Sequence, residues 1–117
     1  MATITKRVLS GSTTGLGIKV AATATPGTLI HTAVTGTADL DLIWLYVVNT
    51  DTVARKLTLE WGGVTDPDNL IEQTIQPEDG LLMLTDGRLL QNALVVRAFA
   101  ATANVLVIYG DVNRVTA

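Results

Sequence analysis

Lys56-Leu57-Thr58-Leu59-Glu60-Trp61 alternates polar and apolar side chains. In an extended chain Leu57, Leu59 and Trp61 share one face while Lys56, Thr58 and Glu60 share the other, which is the pattern of a half-buried β-strand. Outward from this segment, threonine and valine dominate and glycine recurs at short intervals, a composition suited to strands and turns. Upstream the pattern predicts strands at 3–9, 18–24, 29–34 and 40–49. Downstream it predicts strands at 70–75, 81–84, 93–100 and 105–112. Asp86-Gly87, lying between apolar runs, reads as a hairpin turn, because glycine tolerates the positive φ of a type I′ turn. Asp66-Pro67-Asp68-Asn69 introduces Leu70 to Ile75, which reads as a strand, with a short capped helix as the alternative. Eight or nine short strands without long helical runs predict an all-β, single-domain sandwich spanning residues 1–117.

The composition excludes several classes. The chain has 117 residues, of which 48% are hydrophobic and 16% charged, and it carries a net charge of −3. Such a chain has too much apolar content for intrinsic disorder. It is too acidic, with charges too evenly spread, for a nucleic-acid footprint, so no nucleic-acid partner is expected. Cysteine is absent, which removes disulfides and thiolate metal sites. The longest apolar run, Leu42 to Val48, has seven residues, whereas a membrane helix needs about twenty. The opening Met1-Ala-Thr-Ile-Thr-Lys-Arg7 has no apolar core of a secretory signal, and Ala2 removes N-myristoylation. The expectation is a soluble protein made in a reducing cytoplasm, with no membrane partner.

Leu42-Ile43-Trp44-Leu45-Tyr46-Val47-Val48 is apolar on both faces, as is Val105-Leu106-Val107-Ile108. A sandwich strand in a monomer has one wet face. With no helix predicted to cover these strands, the expected cover is another copy of the chain, in a dimer or trimer. Leu42, Trp44, Tyr46, Val48, Leu106 and Ile108 are the candidate interface residues. Arg97, between Val95 and Phe99 on one strand face, joins them as a residue that either pairs across the interface or snorkels.

No chemistry-bearing constellation emerges. His31 is the only histidine, so a zinc site lacks ligands, and it reads as a strand histidine making one hydrogen bond. Neither Ser10 nor Ser12 sits in a nucleophile-elbow frame. Gly11-Ser-Thr-Thr-Gly15-Leu-Gly17 lacks the Gly-Lys-Ser/Thr of a phosphate loop and reads as a flexible connection. Asp66, Asp68 and Asn69 open like a calcium loop, but Leu70 and Ile71 stand where the next ligand and the glycine belong. Only a looser surface calcium site at Asp66 and Asp68 is left as an alternative. Trp44, Tyr46, Trp61, Phe99 and Tyr109 fall within strands, where packing accounts for them better than ligand platforms do. The reading is a non-enzyme with no cofactor and no metal requirement.

Several segments resemble a known family. They are Trp61-Gly-Gly63, Leu70-Ile-Glu-Gln-Thr-Ile75 with a proline-containing turn after it, Leu89-Leu90, Asn92-Ala-Leu-Val-Val-Arg-Ala-Phe-Ala100, Ala103-Asn-Val-Leu-Val-Ile-Tyr-Gly110 and Val112-Asn-Arg-Val115. In pattern and spacing the run 49–115 is similar to the small all-β decoration (cement, auxiliary) proteins of tailed bacteriophage capsids. The resemblance implies a jelly-roll-like sandwich, assembled as dimers or trimers, that binds the major capsid protein on the outer surface of the virion after synthesis in the host cytoplasm. It assigns no contact residues. The alternatives are a neck, tail or fibre-attachment component of the same virion and, from another class, a sugar-binding sandwich module, which a Trp or Tyr exposed in a groove would favour.

The segment 1–10 has strand character and carries Ile4, Lys6, Arg7 and Val8. It reads either as an arm that adds a strand to a neighbour's sheet edge or as an ordinary edge strand of its own sandwich.

Overall fold

Alternation becomes burial most plainly in β4 (Leu40–Asn49), where Ile43, Leu45 and Val47 have no exposed surface while Leu42, Trp44, Tyr46 and Val48 are half-buried. The computed structural model describes residues 2–117. Besides β4 it contains β1 (Thr3–Val8), β2 (Ile18–Lys19), β3 (Thr28–Thr32), β5 (Arg55–Trp61), β6 (Leu70–Ile75), β7 (Leu82–Leu90), β8 (Val95–Phe99) and β9 (Leu106–Thr116). The described residues contain no helix.

The strands form two antiparallel sheets, β1-β9-β4-β7 with β2 also on β9, and β3-β8-β5-β6. β1 and β2 occupy the same edge of β9, β1 against Asp111 to Thr116 and β2 against Val107 and Ile108. Taken as one interrupted strand they give the orders 1-8-3-6 and 2-7-4-5, the connectivity of an eight-stranded jelly roll. Ile30, Ile43, Leu45, Leu57, Leu59, Val96, Leu106 and Ile108 fill the space between the sheets. Each fully buried side chain of this size contributes roughly 1.5–3 kcal/mol.

Five sequence expectations change. Asp86-Gly87 is not a hairpin turn: β7 runs straight through it, and Gly87 is a bulge residue with φ 72°. Opposite it the register steps from Ile43–Arg88 to Trp44–Asp86, and a Cβ on Gly87 would strike the Trp44 indole. The same positive φ that suits a tight turn also suits a bulge, so the dipeptide alone does not separate the two.

The connection 9–17 is anchored rather than flexible. Leu9 is buried in the core, Gly11 N–H donates to the Ile30 carbonyl and Ser12 Oγ to the Leu16 carbonyl. Gly11 lies so close to the carbonyls of Leu29 and Ile30 that no side chain fits there.

Thr58 and Glu60 are buried, not wet. The segment after β2 folds across them, and Glu60 accepts hydrogen bonds from Thr25 Oγ1 (2.5 Å) and Gly27 N–H (2.6 Å). That crossing also shortens the expected second strand to Ile18–Lys19. Finally, Leu106 and Ile108, expected at an interface, have no exposed surface and belong to the core. A strand that is apolar on both faces does not announce which face turns inward.

Candidate functional site

The face of the β1-β9-β4-β7 sheet turned away from the core has no layer over it among the described residues. Residues opposite one another in a ladder share a face. The pairs Leu42–Asn113, Trp44–Asp111, Tyr46–Tyr109 and Val48–Val107 therefore define this surface. Leu42–Leu89 and Tyr46–Met83 extend it onto β7, and Ile4–Val115 and Val8–Asp111 extend it onto β1. Leu89, Met83 and Ile4 are 47%, 51% and 68% exposed. The result is an aromatic and aliphatic sheet face crossed by few charges.

Trp44 stands at its centre and is held from three sides. Its Nε1–H donates to Asp86 Oδ1 at 3.2 Å. The Lys6 ammonium lies 5.8 Å from the ring centroid, within cation–π range, and is itself paired with Asp111 at 3.3 Å. The bulge at Gly87 leaves room for the indole. An aromatic side chain fixed in advance loses little entropy on binding, which is the character of an interface anchor.

The structure brings Leu42, Trp44, Tyr46 and Val48 together on this face, with Ile4, Lys6 and Val8 beside them. Arg7 points to the other side of β1. Arg97 is elsewhere, on the outside of the β3-β8-β5-β6 sheet, where its Nη1 donates to the Gly27 carbonyl at 3.2 Å. β1 pairs with β9 in continuous register from Thr3–Thr116 to Val8–Asp111, so segment 3–8 is an edge strand of its own sheet. All six of its side chains are exposed, and among the described residues its outer edge carries no strand.

A second polar assembly lies under the β1 end of the sandwich. Asp41 is fully buried, and its carboxylate accepts from Arg114 Nε (2.8 Å), Arg114 Nη2 (3.0 Å) and Val34 N–H (3.1 Å). His31 Nε2 lies 2.8 Å from the same carboxylate and Ser10 N–H donates to His31 Nδ1 at 3.0 Å. With Nδ1 accepting, the ring carries its proton on Nε2 and donates it to Asp41. His31 thus makes two hydrogen bonds where one was expected. Burial pushes the Asp41 carboxyl up, but the hydrogen bonds from Arg114 and His31 and the guanidinium charge hold it below the usual carboxylate range. The same contact raises Arg114.

Serine, histidine and aspartate meet here without forming a nucleophile. Ser10 reaches the imidazole through its backbone amide, and its Oγ accepts from Thr32 N–H at 2.6 Å, whereas acyl transfer needs the hydroxyl on the ring nitrogen. The assembly ties β3 of one sheet to β4 and β9 of the other. Its sequence signal was the acid itself, since Asp41 occupies an inward position in phase with Ile43, Leu45 and Val47. Asn49 closes the other end of that row, donating to the carbonyls of Val53 and Ile75.

Asp66, Asp68 and Asn69 form a turn in which Thr65 N–H donates to Asn69 Oδ1 at 3.1 Å. Among the described residues no three acidic or histidine side chains are grouped to hold a metal ion. One concavity on the surface is a groove of about 530 Å³ between the edge strands β6 and β7, with Trp61 in its wall. Neither family models, nor characterised proteins, nor solved structures match this chain.

Proposed function

We propose that this chain is a non-enzymatic structural protein of a bacteriophage virion that decorates the capsid from outside, binding the major capsid protein lattice and stabilising it. The observation that supports the reading is the uncovered apolar face centred on Trp44. A stable protein interface takes about 800 Å² from each partner, roughly one-eighth of this chain's 6286 Å², and one sheet face is a surface of that order. In this reading the face first joins copies into a dimer or trimer. The exposed rim, including β1 with Lys6 and Arg7, then meets the shell. A protein that binds only the assembled lattice stabilises it by mass action, and repeated weak contacts of an oligomer multiply.

The test is occupancy on purified particles. Regularly spaced density on the outer shell in a cryo-EM map, together with a higher disassembly temperature for decorated than for bare shells, is the expected result. A few copies confined to one vertex would move the protein to the neck or tail, and absence from particles would end the reading.

A further inference from the structure

We infer that the groove between β6 and β7 is a binding site for a neutral carbohydrate, a pyranose ring with adjacent free hydroxyls. Its size, about 530 Å³, falls within the range of small-molecule sites. Trp61, Ile71 and Leu84 supply apolar wall, while Asp68, Asn69, Thr85, Asp86 and Arg88 supply polar groups. A sugar ring has the matching duality, with C–H faces that pack on an indole and hydroxyls that both donate and accept.

The backbone of β7 is shaped around this groove. Its register against β4 slips twice, passing over Gly87 between Arg88 and Asp86 and over Leu84 between Thr85 and Met83. Bulges re-aim side chains, and the residues between and beside these two, Leu84, Thr85, Asp86 and Arg88, are the ones that line the groove. Two polar groups are also oriented in advance. Asn69 Oδ1 is occupied by Thr65 N–H, which leaves its amide hydrogens to donate. Asp86 Oδ1 is occupied by Trp44 Nε1–H, which leaves Oδ2 to accept.

The charges narrow the ligand. Two carboxylates against one guanidinium disfavour a phosphate or an acidic sugar. Among the described residues no third acidic or histidine side chain joins Asp68 and Asp86 to make the oxygen-rich set a divalent cation takes. Asp68 and Arg88 line the same groove but neither makes an ion pair among the described residues, so both keep hydrogen-bonding capacity for a ligand. A neutral polyol uses such a mixed set.

Saturation-transfer NMR of the whole chain against glucose, galactose, mannose, N-acetylglucosamine and lactose tests the site independently of capsid binding. At least one sugar should bind saturably, with its Kd raised tenfold or more in Asp68→Ala and in Arg88→Ala. Both side chains are exposed, and a wild-type far-UV spectrum checks that the variants fold. Indole emission of the wild type should shift on saturation, and the shift should be lost in Trp61→Phe, which leaves Trp44 as the only indole. No saturable binding by any of the five sugars would overturn the assignment, as would binding that both alanine variants leave unchanged. Occupancy of the groove only by a lysine- or arginine-containing peptide would equally overturn it.

Discussion

Asp41 pins the two sheets together, because its buried carboxylate is shared by His31 of β3 and Arg114 of β9. Removing the acid leaves the buried His31 imidazole and the largely buried Arg114 guanidinium without their shared acceptor. Asp41→Asn should therefore destabilise the fold by about 3–5 kcal/mol, read from urea unfolding midpoints. A loss below about 1 kcal/mol would place the contact among exposed ion pairs and refute its structural role. The pH dependence follows from the same residue. The Asp41 carboxyl titrates below its ordinary value in the folded state, so the unfolded chain takes up this proton first as pH falls. The stabilisation is present above the unfolded value near 3.9 and is lost as pH drops through the lower folded value. Wild-type melting temperature should fall steeply below about pH 4, and Asp41→Asn should show a shallower decline over that window. Parallel curves would mean that other carboxylates carry the acid transition.

At the scale of elements, β1 is the most separable piece of the molecule. Its six side chains are exposed, so β9 loses ladder hydrogen bonds but little buried apolar area when it goes. The dissection must stop at residue 8, since Leu9 is core and Ser10 holds His31. A chain lacking residues 1–8 should unfold cooperatively with a melting temperature within a few degrees of wild type, yet bind capsid shells more weakly. Undiminished shell occupancy would remove β1 from the contact surface. The elements also show how far local pattern reaches. β4 and β6 lie where alternation and turn residues place them, because both pair along their full length. β7 does not, since a positive-φ glycine serves a bulge as well as a turn. The burial of Thr58 and Glu60 depends on the segment 20–27 folding over β5, a contact between distant parts of the chain that no local period encodes. For the same reason the Trp44 face was legible only in part. Two-sided apolar strands announce an uncovered surface, but pairing with β4 decides that Tyr109 faces outward while Leu106 and Ile108 face the core. The groove around Trp61 lay outside local reach altogether, because β6 and β7 bring its walls from different sheets.

For the whole molecule, the apolar face predicts self-association. Sedimentation at micromolar concentration should show a dimer or trimer, and Tyr46→Glu, at a half-exposed position, should yield a folded monomer. Trp44→Ala should weaken assembly by about thirty-fold, the equivalent of a 2 kcal/mol hot spot. A monomeric wild type would dismiss the face as an oligomer contact and leave it to the shell alone. The strand order carries a further consequence for biosynthesis. β8 and β9 are interior strands of their sheets, flanked by β3 and β5 and by β1 and β4. They also follow every other strand in chain order. Until Val95–Phe99 and Leu106–Thr116 have been made, β3 has no neighbour and β5 lacks one, β4 lacks one and β1 has none, so neither sheet closes before its interior strand is in place. Folding is then dominated by distant pairings, on the millisecond-to-second scale of such topologies. During that interval the apolar rows of β4 stay open to chaperones, and a chain interrupted before β8 keeps only the β4–β7 and β5–β6 ladders, with nothing to join either to β1 or β3.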